Sequence, residues 1–140
     1  MDLNLLKSFV DYGILGFLVL LSVISLTIFF ERVMFYGKIN EKKYKSRKML
    51  EIDLTKNLTT LGSIASNAPY IGLLGTVISI MITFASISSS GLNAGKITSA
   101  LALALKSTAA GLVVAIFSMF FYNALLRKTE TILARYDEKV

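Results

Sequence analysis

Residues 57–95 read NLTTLGSIASNAPYIGLLGTVISIMITFASISSSGLNAG, and none of these 39 positions carries a charge. As a single helix the stretch would reach about 58 Å at ~1.5 Å per residue, nearly twice the ~30 Å hydrocarbon core of a bilayer. It is therefore too long for one crossing. Its polar part is Ser86, Ser88, Ser89, Ser90, Gly91, Asn93 and Gly95, a composition that reads as a loop. The stretch predicts a membrane span at about residues 68–87, followed by a turn.

The flanking sequence repeats the signal on both sides. Residues 13–30 form an uncharged run of 18, and residues 97–126 hold a single charge, Lys106. These predict a first span at about 12–32 and a third at about 97–126, the third long enough to tilt or protrude. The chain has 140 residues, of which 54% are hydrophobic and 17% charged. Soluble domains carry about 25% charged residues, and a core this small could not hide so much apolar chain. The expected fold is an all-α membrane protein, one domain over residues 1–140, with three transmembrane helices and helical cytoplasmic extensions.

Lysine and arginine placement predicts the orientation. Lys38, Lys42, Lys43, Lys45, Arg47, Lys48 and Lys56 lie between the first two spans, and Arg127, Lys128, Arg135 and Lys139 follow the third. The other side has only Lys7 and Lys96. The positive-inside rule puts the N-terminus and the Ser/Gly loop outside, and residues 33–67 and the C-terminus in the cytoplasm. The net charge of +6 is thus read as topology rather than as a nucleic-acid surface. Glu31, Arg32, Arg127 and Lys128 sit where interfacial anchors belong. Residues 1–12 hold Asp2 and Asp11 against Lys7, and no small-residue cleavage site closes the apolar run, so the segment does not read as a secretory leader.

With no His and no Cys, His-based triads, thiol chemistry, disulfides and His/Cys metal sites are excluded. Nothing resembles a nucleophile–base constellation, so an enzyme is not expected, and neither is a cofactor or metal. Between the first two spans, Leu50, Leu54, Leu58, Leu61 and Ala65 recur in steps of three and four. They predict an amphipathic helix running into the second span, with Pro69 placed to kink it. Leu3, Leu6 and Val10 share a face, which predicts a short helix on the outer surface over residues 1–10.

Two spans carry polar faces. Gly72, Thr76, Ser79, Thr83 and Ser86 line one side of the second, and Ala104, Thr108, Gly111, Ala115 and Ser118 one side of the third. Small residues let helices approach, and hydroxyls can bond their own helix's carbonyls. The same faces could line a wet pore, where hydroxyls order water without titrating. No acid lies inside any span; Asp11 and Glu31 flank the first. A proton route would then need a carboxylate from another chain. Lys106, within the third span, either snorkels to lipid headgroups or meets such a carboxylate.

Residues 67–77, NAPYIGLLGTV, resemble the second-span motif of the ExbB/TolQ family, whose distant relatives include the flagellar stator protein MotA. Residues 104–116, ALKSTAAGLVVAI, with Tyr122-Asn123 after them, resemble its third-span motif, and Glu31-Arg32 resembles the pair that closes its first span. The likeness covers most of the chain and is nearest to the ExbB branch, the energiser of the TonB system. It implies a pentamer in the bacterial inner membrane around the single-span helices of an ExbD-like partner. The partner's aspartate would carry protons, and the resulting motion would pass to a TonB-like protein. It also implies pore positions for Thr76 and Thr108, and the stripe extends this expectation to Ser79, Thr83, Gly111 and Ala115. The chain departs from enterobacterial members in its short cytoplasmic segment. Leu103 stands where they have a glutamate, Phe117 where they have a proline, and Lys106 where they have an apolar residue. A TolQ-like energiser of envelope integrity and a non-conducting scaffold remain the alternatives.

Overall fold

The computed structural model describes residues 3–90 and 93–139. Its helices are α1 (Leu3–Lys38), α2 (Arg47–Leu54), α3 (Leu58–Ser90) and α4 (Ala94–Lys139), with a short 3₁₀ turn at Glu41–Lys43 between the first two. No strand occurs among the described residues. Helices α1, α3 and α4 are each long and apolar enough to cross a membrane. The all-α, three-span architecture expected from the sequence is therefore present.

The helices outrun the spans. With 36, 33 and 46 residues, α1, α3 and α4 extend roughly 54, 50 and 69 Å, so each projects beyond a ~30 Å hydrocarbon core. Of the surface helix expected over residues 1–10, residues 3–10 are instead the first part of α1, and residues 1 and 2 lie outside the described residues. Nothing breaks the helix there, and polar side chains in and just after this segment find partners on α3: Lys7 bonds Thr83 and Asp11 bonds Ser79. The expected Ser/Gly loop is also shorter than its composition suggests. Helix α3 continues through Ser86 to Ser90, and α4 starts at Ala94. Gly91 and Leu92 lie outside the described residues. Asn93 opens α4 by accepting the backbone N–H groups of Gly95 and Lys96 at 3.0 and 3.3 Å.

The amphipathic helix expected over residues 50–65 is two helices. Thr55 closes α2 with an N–H bond to the Glu51 carbonyl at 2.9 Å, and Asn57 takes φ 68°. Asparagine tolerates this left-handed conformation, which stops one helix and redirects the chain into α3. The apolar periodicity survives the break, because Leu50, Leu54, Leu58, Leu61 and Ala65 are all buried. Pro69 lies inside α3, which continues through it.

These leucines form a core with Ile28, Tyr36, Leu125, Ile132 and Leu133, drawn from all four helices. It occupies the lysine-rich end of the bundle. Polar bonds fasten its edges. Tyr36 donates to the Leu54 carbonyl at 2.6 Å and lies 3.0 Å from the Thr129 hydroxyl. Arg32, only 2% exposed, donates to the Asp53 carbonyl at 2.7 Å and holds Glu31 through two nitrogens. Further along, Ser25 and Ser118 share a 2.8 Å hydrogen bond between α1 and α4, and Phe29 stacks on Phe121.

Leu54 is fully buried in this core. Leu54→Ala should lower stability by about 2–4 kcal/mol through lost burial and the cavity left behind. Leu73→Ala, at a position 49% exposed, should cost less than about 1 kcal/mol in the isolated protomer. Denaturation followed by circular dichroism in mild detergent checks both.

Candidate functional site

Helices α3 and α4 meet glycine on glycine. A Cβ added at Gly72 would fall 2.4 Å from the Ser107 carbonyl oxygen, and one at Gly111 would fall 2.5 Å from the Ala68 carbonyl oxygen. Only hydrogen fits at either place, so the α3 and α4 backbones touch. Gly75 stands one turn nearer the Ser/Gly end, where all three spans meet. A Cβ there would lie 2.9 Å from Ile14 and 3.0 Å from Ser107.

This approach sets two threonines face to face. Thr76 and Thr108 bring their hydroxyl oxygens to 2.5 Å, and Thr76 also lies 2.8 Å from the Ala104 carbonyl. A hydroxyl has one hydrogen. If Thr76 gives its hydrogen to Ala104, Thr108 must donate to Thr76. Thr76 then both donates and accepts within its own chain and is buried, at 5% exposure, while Thr108 is only partly buried. The pair can hold and orient water or a polar partner through Thr108, but it cannot itself titrate near neutral pH.

The other residues of the two stripes fall in different surroundings. Ser79 has no exposed surface and donates to Asp11 Oδ1 of α1 at 2.6 Å. Thr83 back-bonds to the Ser79 carbonyl at 2.9 Å and accepts from Lys7 at 3.4 Å. Gly111 occupies the α3–α4 contact, and Ala115 packs with Leu18 and Ala68. Arg32 and Glu31 form the knot described above, whereas Arg127 and Lys128 are exposed. Lys106 is exposed and forms no ion pair among the described residues. It lies two residues from Thr108, so about 200° around α4.

The Asp11–Ser79 bond is the feature that residue patterns did not reveal. A signal for it exists in the sequence. Lys7 and Asp11 are four apart on one helix, and Ser79 and Thr83 are four apart on another. That spacing makes two rungs possible between antiparallel helices.

Comparison with known proteins follows the same lines. The sequence pattern of the MotA/TolQ/ExbB proton channel family matches residues 26–138. The chain belongs to this family. An ExbB-like relative from Helicobacter pylori is 49% identical over 133 residues, covering 94% of this chain and 89% of the relative. The biopolymer transport protein ExbB of Helicobacter pylori strain J99 is 46% identical over 136 residues, covering 96% and 94%. Its namesake in Aquifex aeolicus is 44% identical over 133 residues, covering 94% and 90%. These relatives place the chain on the ExbB branch, among biopolymer transport proteins. With its three apolar helices, it is a multi-pass protein of the bacterial inner membrane.

Gly72→Ala and Gly111→Ala should each force α3 and α4 apart and sharply reduce the yield of folded protein. Gly13→Ala, with nothing within 4 Å of the added carbon, should be neutral or slightly stabilising, since alanine favours helix by up to ~1 kcal/mol over glycine. Size-exclusion profiles of the detergent-extracted variants check the contrast.

Proposed function

We propose that this chain is the multi-copy subunit of a proton-motive-force-driven motor that energises TonB-dependent uptake across the outer membrane. In this reading five copies surround the single-span helices of an ExbD-like partner, and a TonB-like protein receives the motion. The lysine-rich end faces the cytoplasm, and the N-terminus and the Ser/Gly end face outward. The observation that carries the reading is the Thr76–Thr108 pair, two hydroxyls brought opposite each other beside the close Gly72–Gly111 contact of α3 and α4.

The chemistry assigned to the pair is modest. Thr108 presents a polar atom to the lumen, and Thr76 fixes its direction from behind. Gly111 and Ala115 keep that face of α4 narrow. Ser79 and Thr83 continue the polar line towards the outer side. The spans hold no acid between the level of Asp11 and that of Glu31, so the carboxylate passing protons in the lumen belongs to the partner. The exposed apolar side chains of α3 and α4, such as Leu74, Met81, Val113 and Phe117, meet lipid or neighbouring copies. Lys106 directs its charge away from Thr108, to a lipid headgroup or a partner acid.

One observation favours a non-conducting scaffold: the Thr76 hydroxyl is satisfied within its own chain. The two readings part at Thr108. Thr108→Val keeps the shape of the side chain and removes the hydroxyl. The motor reading expects it to lower proton-driven uptake of an iron complex by about tenfold or more while the ring still assembles. Unchanged uptake, with the variant present at normal levels, would favour the scaffold. A Tol-type energiser is told apart by which small single-span protein co-purifies.

A further inference from the structure

Two polar rungs join α1 to α3 at the Ser/Gly end. Lys7 and Thr83 form one; Asp11 and Ser79, one helical turn deeper on each helix, form the other. Asp11 is partly buried and Ser79 wholly so. Asp11 stands 21 residues before Arg32 on the unbroken helix α1. That separation is about 31 Å, the thickness of a hydrocarbon core, so Asp11 marks its far edge when Arg32 marks the near one. Above it, a cavity of about 440 Å³ opens between the ends of α1, α3 and α4, lined in part by Lys7, Thr83, Asn93 and Lys96. Below it, one turn along α3, is Thr76 with its partner Thr108. Along α3, Thr83, Ser79 and Thr76 succeed one another from the cavity to the level of the threonine pair, over roughly 10 Å of helix axis.

We infer that Asp11 is a proton-binding group on the route from this cavity to the Thr76–Thr108 pair, so that the chain supplies an inlet carboxylate of its own. The inference rests on the proton-motor reading above. In the first step a hydronium ion in the cavity, whose lining reaches Lys7 one turn from Asp11, passes its proton through water to the Asp11 carboxylate, leaving water and a neutral carboxyl. In the second, that carboxyl gives its proton, through water, to the carboxylate of the partner helix in the lumen, and Asp11 is ionised again. Ser79 is a positioning residue: its hydroxyl donates to the ionised carboxylate and can turn to accept from the neutral one. Among the described residues, the charged groups near this site are Lys7 on α1 and Lys96 on α4. Helix α3 contributes only hydroxyls, and Lys106 lies on an exposed face of α4. Among the described residues Asp11 forms no ion pair, and its carboxylate accepts from Ser79, a group that can serve both protonation states.

The competing role is structural, with Asp11 only pinning α1 to α3. Asp11→Asn separates the two, because an amide oxygen still accepts from Ser79 but cannot carry a proton. The chain and its single-span partner, co-purified and reconstituted in liposomes holding a pH-sensitive dye, report proton flux under an imposed gradient. The expected result is a flux about tenfold or more lower for Asp11→Asn, with assembly unchanged, and a partial return with Asp11→Glu. Flux within about twofold of wild type in Asp11→Asn overturns the inference while leaving the motor reading intact. A wild-type complex that carries no flux overturns the motor reading, and the inference falls with it. If Asp11→Asn does not assemble, infrared difference spectra of the wild-type complex between acidic and alkaline buffer take its place. A carboxyl band that moves in Asp11→Glu supports the assignment, and a spectrum unaltered by Asp11→Glu overturns it.

Discussion

The backbone contact between Gly72 and Gly111 is the constraint on which the membrane part of this protein depends. It admits no side-chain carbon on either helix. Once α3 and α4 touch there, their register is fixed, and Thr76 must stand opposite Thr108. The same contact presses Ser107 against Gly75, whose other side is occupied by Ile14 of α1. The position of the third helix thus follows from the approach of the other two. In lipid, apolar surface gains nothing by leaving water, so close van der Waals contact and a few hydroxyl bonds must do what a hydrophobic core does elsewhere.

The lysine-rich end works by the opposite physics. Leu50, Leu54, Leu58 and Leu61 are withdrawn from solvent by α1 and α4, and burial of each such side chain is worth about 1.5–3 kcal/mol. Arg32 stands between the two regimes. It is buried, yet its guanidinium is occupied by Glu31, by the Asp53 carbonyl and by the face of Phe35 at 4.3 Å. A charge at this level is tolerable because its donors are met. It also ties α2 to the foot of the first span, so the chain between the spans is folded against the bundle rather than left as a tether.

Much of this was legible in the sequence. Uncharged runs of sufficient length gave three spans, and steps of three and four gave the leucine face and both polar stripes. Three features were not legible, each for a physical reason. The break at Asn57 interrupts a periodic pattern without altering its residues, because one left-handed residue redirects the helix while the leucines stay on the buried side. The extension of α3 to Ser90 defies a loop-like composition, since serine is only a weak helix breaker and a helix already formed propagates at little cost. The pairing of Asp11 with Ser79 depends on the register between two helices far apart in sequence. Helical period shows which face is polar, but only the packing decides whether that face meets a lumen, lipid or another helix. Thr76 and Ser79 are neighbours on one stripe, yet one turns to α4 and the other to α1.

The same register revises the apparent depth of Lys106. Counted from the start of its own uncharged run, this lysine sits well inside the third span. Counted across the rungs, it does not. Thr108 is level with Thr76, and Ser79 is level with Asp11. Lys106 is two residues outward from Thr108, and Ser79 is three outward from Thr76, so Lys106 and Asp11 differ in depth by one residue, about 1.5 Å. If Asp11 marks the hydrocarbon edge, the Lys106 backbone lies there too, and its flexible stem carries the ammonium into the headgroup layer. Its exposure then needs no carboxylate from another chain. The cavity lined by Lys7 and Lys96 lies further out still, in the zone where water is plentiful, which is where a proton would first meet Asp11.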